Sequence, residues 1–253
     1  MTDGLLSGKV IVITGASTGI GADAARVCAR AGARMVISAR SQQRLEALAD
    51  ELRREGAEVE YVAGDIALAD TSRRMVDTAL ERFGGLDGAF NNAGISGSGA
   101  LVDVTEAEFD RLWSVNVKGM WLSLREEIRA IRTTGRGGSI VNTSSISGIK
   151  GSVGLGSYQA TKHAVIGLTR TAAHDNGPLD IRVNAIAPGA TSTETFLAWR
   201  DREPEAVDSR IARIPFGRPA TPSEVGEAAA WLLSDRSGTI NGVVLPIDGG
   251  FSA

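Results

Sequence analysis

The chain is predicted to fold as an α/β protein: a doubly wound parallel sheet of about seven strands with helices on both faces. Three observations carry that prediction. Short apolar runs recur along the chain, longer amphipathic stretches lie between most of them, and the first run passes through a glycine-rich turn into a helical stretch. Alternating strand and helix patterns imply βαβ units, in which crossover helices cover parallel strands.

The first strand is Val10-Ile-Val-Ile13, continuously apolar as expected where both faces of a sheet are covered. The glycine turn follows, and Ala22 to Ala31 reads as the helix beyond it. Met35 to Ile37 is the second strand and Gln42 to Glu55 the next helix. Val59 to Val62, then Thr71 to Phe83, repeat the pair. Leu86 to Phe90, Ser139 to Val141, Ile181 to Ile186 and Val243 to Leu245 supply the remaining strands, with a late helix at Pro222 to Leu233. No internal repeat, low-complexity stretch or linker interrupts the pattern. At 253 residues one domain spanning 1–253 is expected, large enough to bury a sizeable core.

Composition narrows the function classes. A 43% apolar and 23% charged chain is ordinary for a folded protein, and a formal charge of −3 offers no basic footprint for nucleic acid. The single cysteine, Cys28, cannot form an internal disulfide, so a cytoplasmic location is expected. The N-terminal residues lack the apolar core of a secretory signal, and no stretch reaches membrane-spanning length, so no membrane partner is expected.

In an open parallel sheet ligands bind outside the carboxyl ends of the strands. Here those ends carry Gly15, Arg40, Asp65, Asn92, Ser145 and Pro188. After the first strand comes Thr14-Gly-Ala-Ser-Thr-Gly-Ile-Gly21. Glycines permit the tight turn and close approach to a pyrophosphate, and the following helix offers free N–H groups and positive potential. An NAD site usually places an acidic residue roughly 20 residues further on. This chain has Ser38-Ala39-Arg40, whose guanidinium can pair with a 2′-phosphate, so NADP(H) is favoured with NAD(H) possible. An exposed Arg opening the next helix is the competing explanation.

Tyr158 and Lys162 stand four residues apart on a predicted helix, which stacks a phenol beside an ammonium. A nearby cation can lower the phenol's pKa of about 10 by roughly 1 to 3 units and fit it for proton exchange with an alcohol or carbonyl oxygen. A core tyrosine beside a solvated lysine has the same spacing. His163 directly follows Lys162 and points off its face, and neither it nor His174 has a second ligand at helical spacing, so no metal is expected.

Taken together, Thr14-Gly-x-x-x-Gly-x-Gly21, Asp65, Asn91-Asn-Ala-Gly94, Asn116, Ser145, Tyr158-x-x-x-Lys162 and Pro188-Gly189 span nearly the whole chain, which resembles the short-chain dehydrogenase/reductases in their single-domain branch. The resemblance implies a Rossmann-type fold and a catalytic set of Asn116, Ser145, Tyr158 and Lys162. Tyr158 would act as general acid and base, and Lys162 would hold the nicotinamide ribose. Ser145 would bond the substrate oxygen and Asn116 a water linking Lys162 to solvent. Thr143, Ser144 and Ser147 compete with Ser145, whose spacing from Tyr158 matches the family pattern. The implied cofactor contacts are Gly15, Ser17, Thr18, Gly19, Ile20, Gly21, Arg40, Asp65, Ile66, Asn92, Ala93, Gly94, Tyr158, Lys162, Pro188, Gly189, Thr191 and Thr193. Asn92 also reads as a tie between strands and Asp65 as a turn cap.

Substrate choice is expected in a lid at about 189–215. Ser96, Ser147, Ile149, Val153, Leu155, Phe196 and Trp199 are candidate pocket walls, suited to a compact ketone or secondary alcohol, cyclic ones included. A homodimer or homotetramer is expected, with the apolar residues of Trp113 to Leu124 and Ala160 to Thr171 either between subunits or against the sheet. Two other functions compete: a nucleotide-binding regulator without turnover, which has no need of the complete catalytic set, and an epimerase or dehydratase working by transient oxidation, usually hosted by longer relatives.

Overall fold

A computed structural model describes residues 4–253. Among them the elements run β1 (Val10–Thr14), α1 (Gly19–Arg30), β2 (Arg34–Ala39), α2 (Gln42–Arg54), β3 (Val59–Ala63), α3 (Ala69–Phe83), β4 (Gly88–Asn91), α4 (Glu106–Trp113), α5 (Met120–Thr134), β5 (Gly138–Thr143), α6 (Gly156–Asn176), β6 (Ile181–Pro188), α7 (Glu194–Arg202), α8 (Pro204–Ile211), α9 (Pro222–Leu233) and β7 (Val244–Ile247). Seven strands form one sheet in the order β3-β2-β1-β4-β5-β6-β7, every pair parallel. The sheet order reverses between β1 and β4, which opens a crevice at their carboxyl ends.

The period-two geometry of a strand sends alternate residues to opposite faces. Ile11 and Ile13 enter a core with Val27, Leu45, Leu52 and Val225 of α1, α2 and α9, whereas Val10 and Val12 enter a second core with Met75, Leu124, Ile131 and Val165 of α3, α5 and α6. Full burial of each such side chain stabilises by roughly 1.5–3 kcal/mol, so a one-residue slip of β1 exchanges whole sets of contacts and register is strongly specified. Between α1 and α9 the packing is tight enough that a Cβ on Gly226 would stand 3.0 Å from Ala24 Cα.

Element ends differ from expectation for local reasons. The predicted helix Ala22 to Ala31 begins earlier, at Gly19, because the last glycines of the turn form its first turn. The run Val243 to Leu245 is displaced to Val244–Ile247 and continues through Pro246; β7 pairs only with β6, and an edge strand tolerates a residue without an N–H. The late helix at Pro222 to Leu233 is observed with those bounds, held by a capping box between Thr221 and Glu224. Arg182 of β6 reaches the other end of α9, donating to Leu232 O and Ser234 O at 3.0 and 2.9 Å.

Candidate active site

The carboxyl ends of β1 to β4 enclose a cleft of about 360 Å³. Its floor is the glycine turn, where Gly15 has φ +69° and a Cβ on Gly21 would fall 2.2 Å from Gly15 O. Only glycine fits there. Thr14 Oγ1 accepts the backbone N–H groups of Asn92 and Ala93, both at 3.0 Å, pinning the loop after β4 to the end of β1. Neither a side-chain cap nor an acidic residue occupies the first turn of α1, so its N–H groups and positive end face the cleft unopposed.

Eight of the expected cofactor contacts line this cleft: Gly15, Ser17, Thr18, Arg40, Asp65, Ile66, Ala93 and Gly94. Ser41 and Arg44 also line it, beside Arg40; sequence reading missed them, although their place in the first turn after β2 is visible there. Asp65 does two things, since its carboxylate also accepts the Ala67 N–H at 3.0 Å as a turn cap. Asn92 ties strands, its Oδ1 taking the Thr143 hydroxyl at 3.5 Å and its Nδ2 reaching Thr14 O at 3.4 Å. Gly19 faces Thr193 across the entrance: a Cβ there would lie 3.1 Å from Thr193 Cγ2. Thr191 and Gly189 anchor the start of the 189–215 segment, through Thr191 Oγ1 to Gly189 O and Gly189 N–H to Ile247 O. These glycines, free N–H groups and cations fit a dinucleotide, whose diphosphate would rest on the α1 N-terminus.

At the inner end of the cleft the residues expected to be catalytic come together. Gly94 joins the two, because a Cβ on it would lie 3.3 Å from Asn116 Oδ1 and 3.4 Å from Lys162 Nζ. Lys162 is buried on α6 and donates to Thr143 O at 3.0 Å. Two of the competing hydroxyls are occupied elsewhere, since Thr143 bonds Asn92 and Ser144 donates to Lys162 O at 2.9 Å; Ser147 is buried. Ser145, capping a short 3₁₀ turn by accepting the Ser147 N–H, is the hydroxyl beside the Tyr158 phenol.

Asn116 departs from the expected helix geometry, standing in a π-helical turn at Ser114–Gly119 between α4 and α5. Such turns widen the backbone and recur at functional sites. Its Oδ1 accepts the Ile95 N–H at 2.8 Å, and its Nδ2 donates to Ile95 O at 2.9 Å and Thr161 Oγ1 at 3.1 Å. Both amide donors are therefore spent on protein, clamping the loop after β4 to the helix of Tyr158.

The electrostatics differ from the simple pairing read from the four-residue spacing. Burial pushes the Tyr158 phenol above its usual pKa and the Ser145 hydroxyl pulls it back in part. Lys162 Nζ stands 5.6 Å from the ring centroid, and burial lowers the ammonium itself to about 8. Desolvation thus acts on both members before any ligand binds.

Comparison with known proteins gives the constellation its family. The family profile described as enoyl-(acyl carrier protein) reductase matches residues 15–252. The A-factor type gamma-butyrolactone 1′-reductase of Streptomyces virginiae is 43% identical over 100% of this chain and 99% of that one. The 2,5-dichloro-2,5-cyclohexadiene-1,4-diol dehydrogenase of Sphingobium indicum is 39% identical over 98% of each. The crystal structure of levodione reductase superposes with a TM-score of 0.91 at 37% identity, covering 98% of both chains.

The chain belongs to the short-chain dehydrogenase/reductases. As a member of that family it is an NAD(P)(H)-dependent oxidoreductase that interconverts a carbonyl and an alcohol on a small molecule. When bound, the nicotinamide supplies or accepts the hydride. No described helix is long and apolar enough to cross a membrane, and no three described His, Cys, Asp or Glu residues gather as a metal would require.

On the substrate side of this short-chain dehydrogenase/reductase the seven candidate walls differ widely in exposure. Phe196 is buried and meets Trp199 edge-on, ring centroids 6.0 Å apart, on α7. Leu155 is bridged to Gly99, Ile149 and Ser96 are exposed, Ser147 is buried, and Val153 is fully exposed at a loop tip. Two residues missed in the sequence join this rim: Leu101 and Val102, 71% and 90% exposed, with Leu101 Cδ1 3.1 Å from where a Gly156 Cβ would be. The signal was the apolar run Ala100-Leu-Val102 after a glycine-rich loop. Behind the rim the Phe251 ring lies against Lys150 Nζ at 4.3 Å and Arg213 Cζ at 5.1 Å, linking the loop after Ser145 to the segment after α8.

Proposed function

We propose that the chain is an NADP(H)-dependent reductase or dehydrogenase of a compact, cyclic ketone or secondary alcohol, with Tyr158 as the general acid and base. The observation that carries this reading is the junction at Gly94, where the dinucleotide cleft meets Lys162 and Asn116. In the reducing direction Tyr158 gives its proton to the substrate oxygen as the hydride reaches the carbon, and Ser145 bonds that oxygen. Lys162 binds the nicotinamide ribose and favours the phenolate left behind. Asn116 holds the loop after β4 against α6, so that the cofactor's seat and the tyrosine keep one spacing.

Arg40, with Arg44 and Ser41 beside it, supports the NADP preference: the three line the adenosine end of the cleft, where a planar guanidinium matches a 2′-phosphate. Arg44 also touches Glu194 at 3.3 Å, a solvent-exposed pair that a phosphate can displace at little cost. Ring-bearing names among the relatives, a gamma-butyrolactone and a cyclohexadiene-diol, support the cyclic substrate class. The 189–215 segment, with α7 and α8, is assigned as the lid of one domain spanning the chain. The half-exposed face of Trp113, Val117, Trp121 and Leu168 supports a homodimer or homotetramer, and the unpaired Cys28 suits a cytoplasmic setting.

The test is a panel of cyclic ketones and alcohols followed by nicotinamide absorbance with NADPH and NADH in parallel. Turnover of cyclic substrates with preference for NADPH is expected. Equal or better use of NADH removes the Arg40 assignment, and turnover confined to charged sugars or acyl thioesters removes the substrate class. Light scattering that returns a 26.4 kDa particle removes the oligomer.

A further inference from the structure

Among the described residues the machinery above leaves a fully buried carboxyl without a task. Glu127, on α5, is fully buried, and no charged side chain faces it. The inward residues of α3 are Thr71, Ser72, Met75, Val76 and Ala79, while Asp70, Arg73, Arg74, Asp77, Glu81 and Arg82 of that helix are exposed. β4 and β5 carry no ionisable residue. On α6, Lys162 is committed to Thr143 O, and His163, Arg170, His174 and Asp175 are exposed. On α5 itself Arg125 and Arg129 pair with Glu126, and Arg132 is exposed. An ionised carboxylate in this place is costly.

The hydrogen bonds show how that cost is avoided. Asn91 Nδ2 donates to Glu127 Oε2 at 2.8 Å and to Asn142 Oδ1 at 3.1 Å. Asn142 Nδ2 donates to Thr169 Oγ1 at 3.0 Å, and Thr169 Oγ1 to Val165 O at 2.8 Å. Two buried oxygens of the network have no donor, Asn91 Oδ1 and Glu127 Oε1, and they belong to the two groups already joined by the first bond. A single proton on Glu127 Oε1, donated to Asn91 Oδ1, would satisfy both. A carboxylic acid and a primary amide then form a two-bond ring: amide N–H to one acid oxygen, acid O–H to the amide oxygen.

The position of this ring matters for the site. Asn91 and Asn142 are register partners on β4 and β5, and each immediately precedes a working residue, Asn92 and Thr143. We propose that Glu127 serves as an uncharged carboxylic acid, a positioning residue that locks the carboxyl ends of β4 and β5 from behind and so holds Asn92 and Lys162 in place for the cofactor. This rests on the cofactor roles proposed above for those two residues. Burial pushes the Glu127 carboxyl up to about 8, with the Asn91 bond pulling the other way. For an acid shifted upward, the stabilisation is complete below the ordinary value of 4.5 and is lost as pH rises to about 8.

Glu127→Gln provides the test, because its amide makes the same ring with Asn91 and does not ionise. The infrared difference between the wild type and Glu127→Gln at pH 6.5 is expected to show the carbonyl band of a protonated acid, fading as pH passes about 8. The variant's melting temperature should pull ahead of the wild type's progressively from pH 5 to about 8 and stay level above. NADPH affinity, read by fluorescence titration between pH 7 and 9.5, should weaken several-fold more for the wild type than for Glu127→Gln, the part due to Lys162 being common to both, whereas Glu127→Leu, which strands the Asn91 amide, is several-fold weaker throughout. Absence of the acid band, or a melting gap that ignores pH, overturns the uncharged state. A pH-linked melting gap with the same pH dependence of NADPH affinity in the wild type and Glu127→Gln overturns the positioning role. Failure of every form to bind NADPH or NADH overturns the cofactor reading, and the infrared band still decides the protonation of Glu127.

Discussion

The dinucleotide side of the crevice and its substrate side are made of different material. From Gly15 to Gly94 the walls are strand ends and glycines, placed by the ladder of the sheet and pinned by Thr14 Oγ1 and the Asn92 amide. Beyond Tyr158 the rim is Leu101, Val102, Ile149 and Val153, apolar side chains on loops and largely exposed. A strand end moves only if the sheet moves, whereas a loop side chain can be exchanged at little cost to the fold. One scaffold can thereby keep a single cofactor chemistry and vary the substrate. The relatives fit that division, sharing 39 to 43% identity along their whole length under quite different substrate names.

The comparison can be broken most sharply where the two sides meet. Tyr158→Phe should lower kcat by roughly 10²- to 10⁴-fold with cofactor affinity nearly unchanged, measured by absorbance and by fluorescence titration. Near-normal turnover removes the tyrosine as the proton donor. On the cofactor side, Gly21→Ala drives a Cβ to within 2.2 Å of Gly15 O. It should weaken cofactor binding at least tenfold and destabilise the fold by about 1–3 kcal/mol in denaturant titrations. A variant that binds normally shows that the turn yields, contrary to its proposed rigidity.

Smaller effects sharpen the picture. Arg40→Ala should weaken NADPH roughly 10- to 100-fold while sparing NADH, and equal losses for both show that Arg40 does not read the 2′-phosphate. Lys162 offers a pH test without cofactor. Its charged form is penalised by burial, and that penalty is relieved as pH rises from about 8 towards 10.5. The melting advantage of Lys162→Met over the wild type should therefore shrink across that window. At the far rim, Val153→Ser should change stability by less than about 0.5 kcal/mol and leave kcat alone. A large rise in KM would reveal that this exposed loop closes over the substrate.

How far the site was legible depended on how local its physics is. The glycine turn, the alternating cores and the helix at Pro222 follow from steric and hydrophobic patterns within a few residues. The spacing of Tyr158 and Lys162 places both on one helix, but not the sign of the phenol's shift, which depends on the walls that desolvate it. Ser145 could not be singled out from Thr143, Ser144 and Ser147 by residue type. The partners Asn92 and Lys162, distant in sequence, take the Thr143 and Ser144 hydroxyls. Nothing around Asn116 announced a π-helical turn, and nothing around Glu127 announced full burial: on paper it follows Glu126 as one more charged residue of an amphipathic helix.

What this sequence determined by itself was the alternation of elements, the parallel sheet and the order of its chemical groups along the strand ends, because periodicity and glycine sterics act over a few residues. Tertiary structure alone decided which groups are dry, which donors are spent and which walls stay open to solvent. Desolvation and hydrogen-bond competition are set by neighbours tens of residues away. Those long-range terms bury Lys162 and Glu127 and seat Tyr158 beside Ser145.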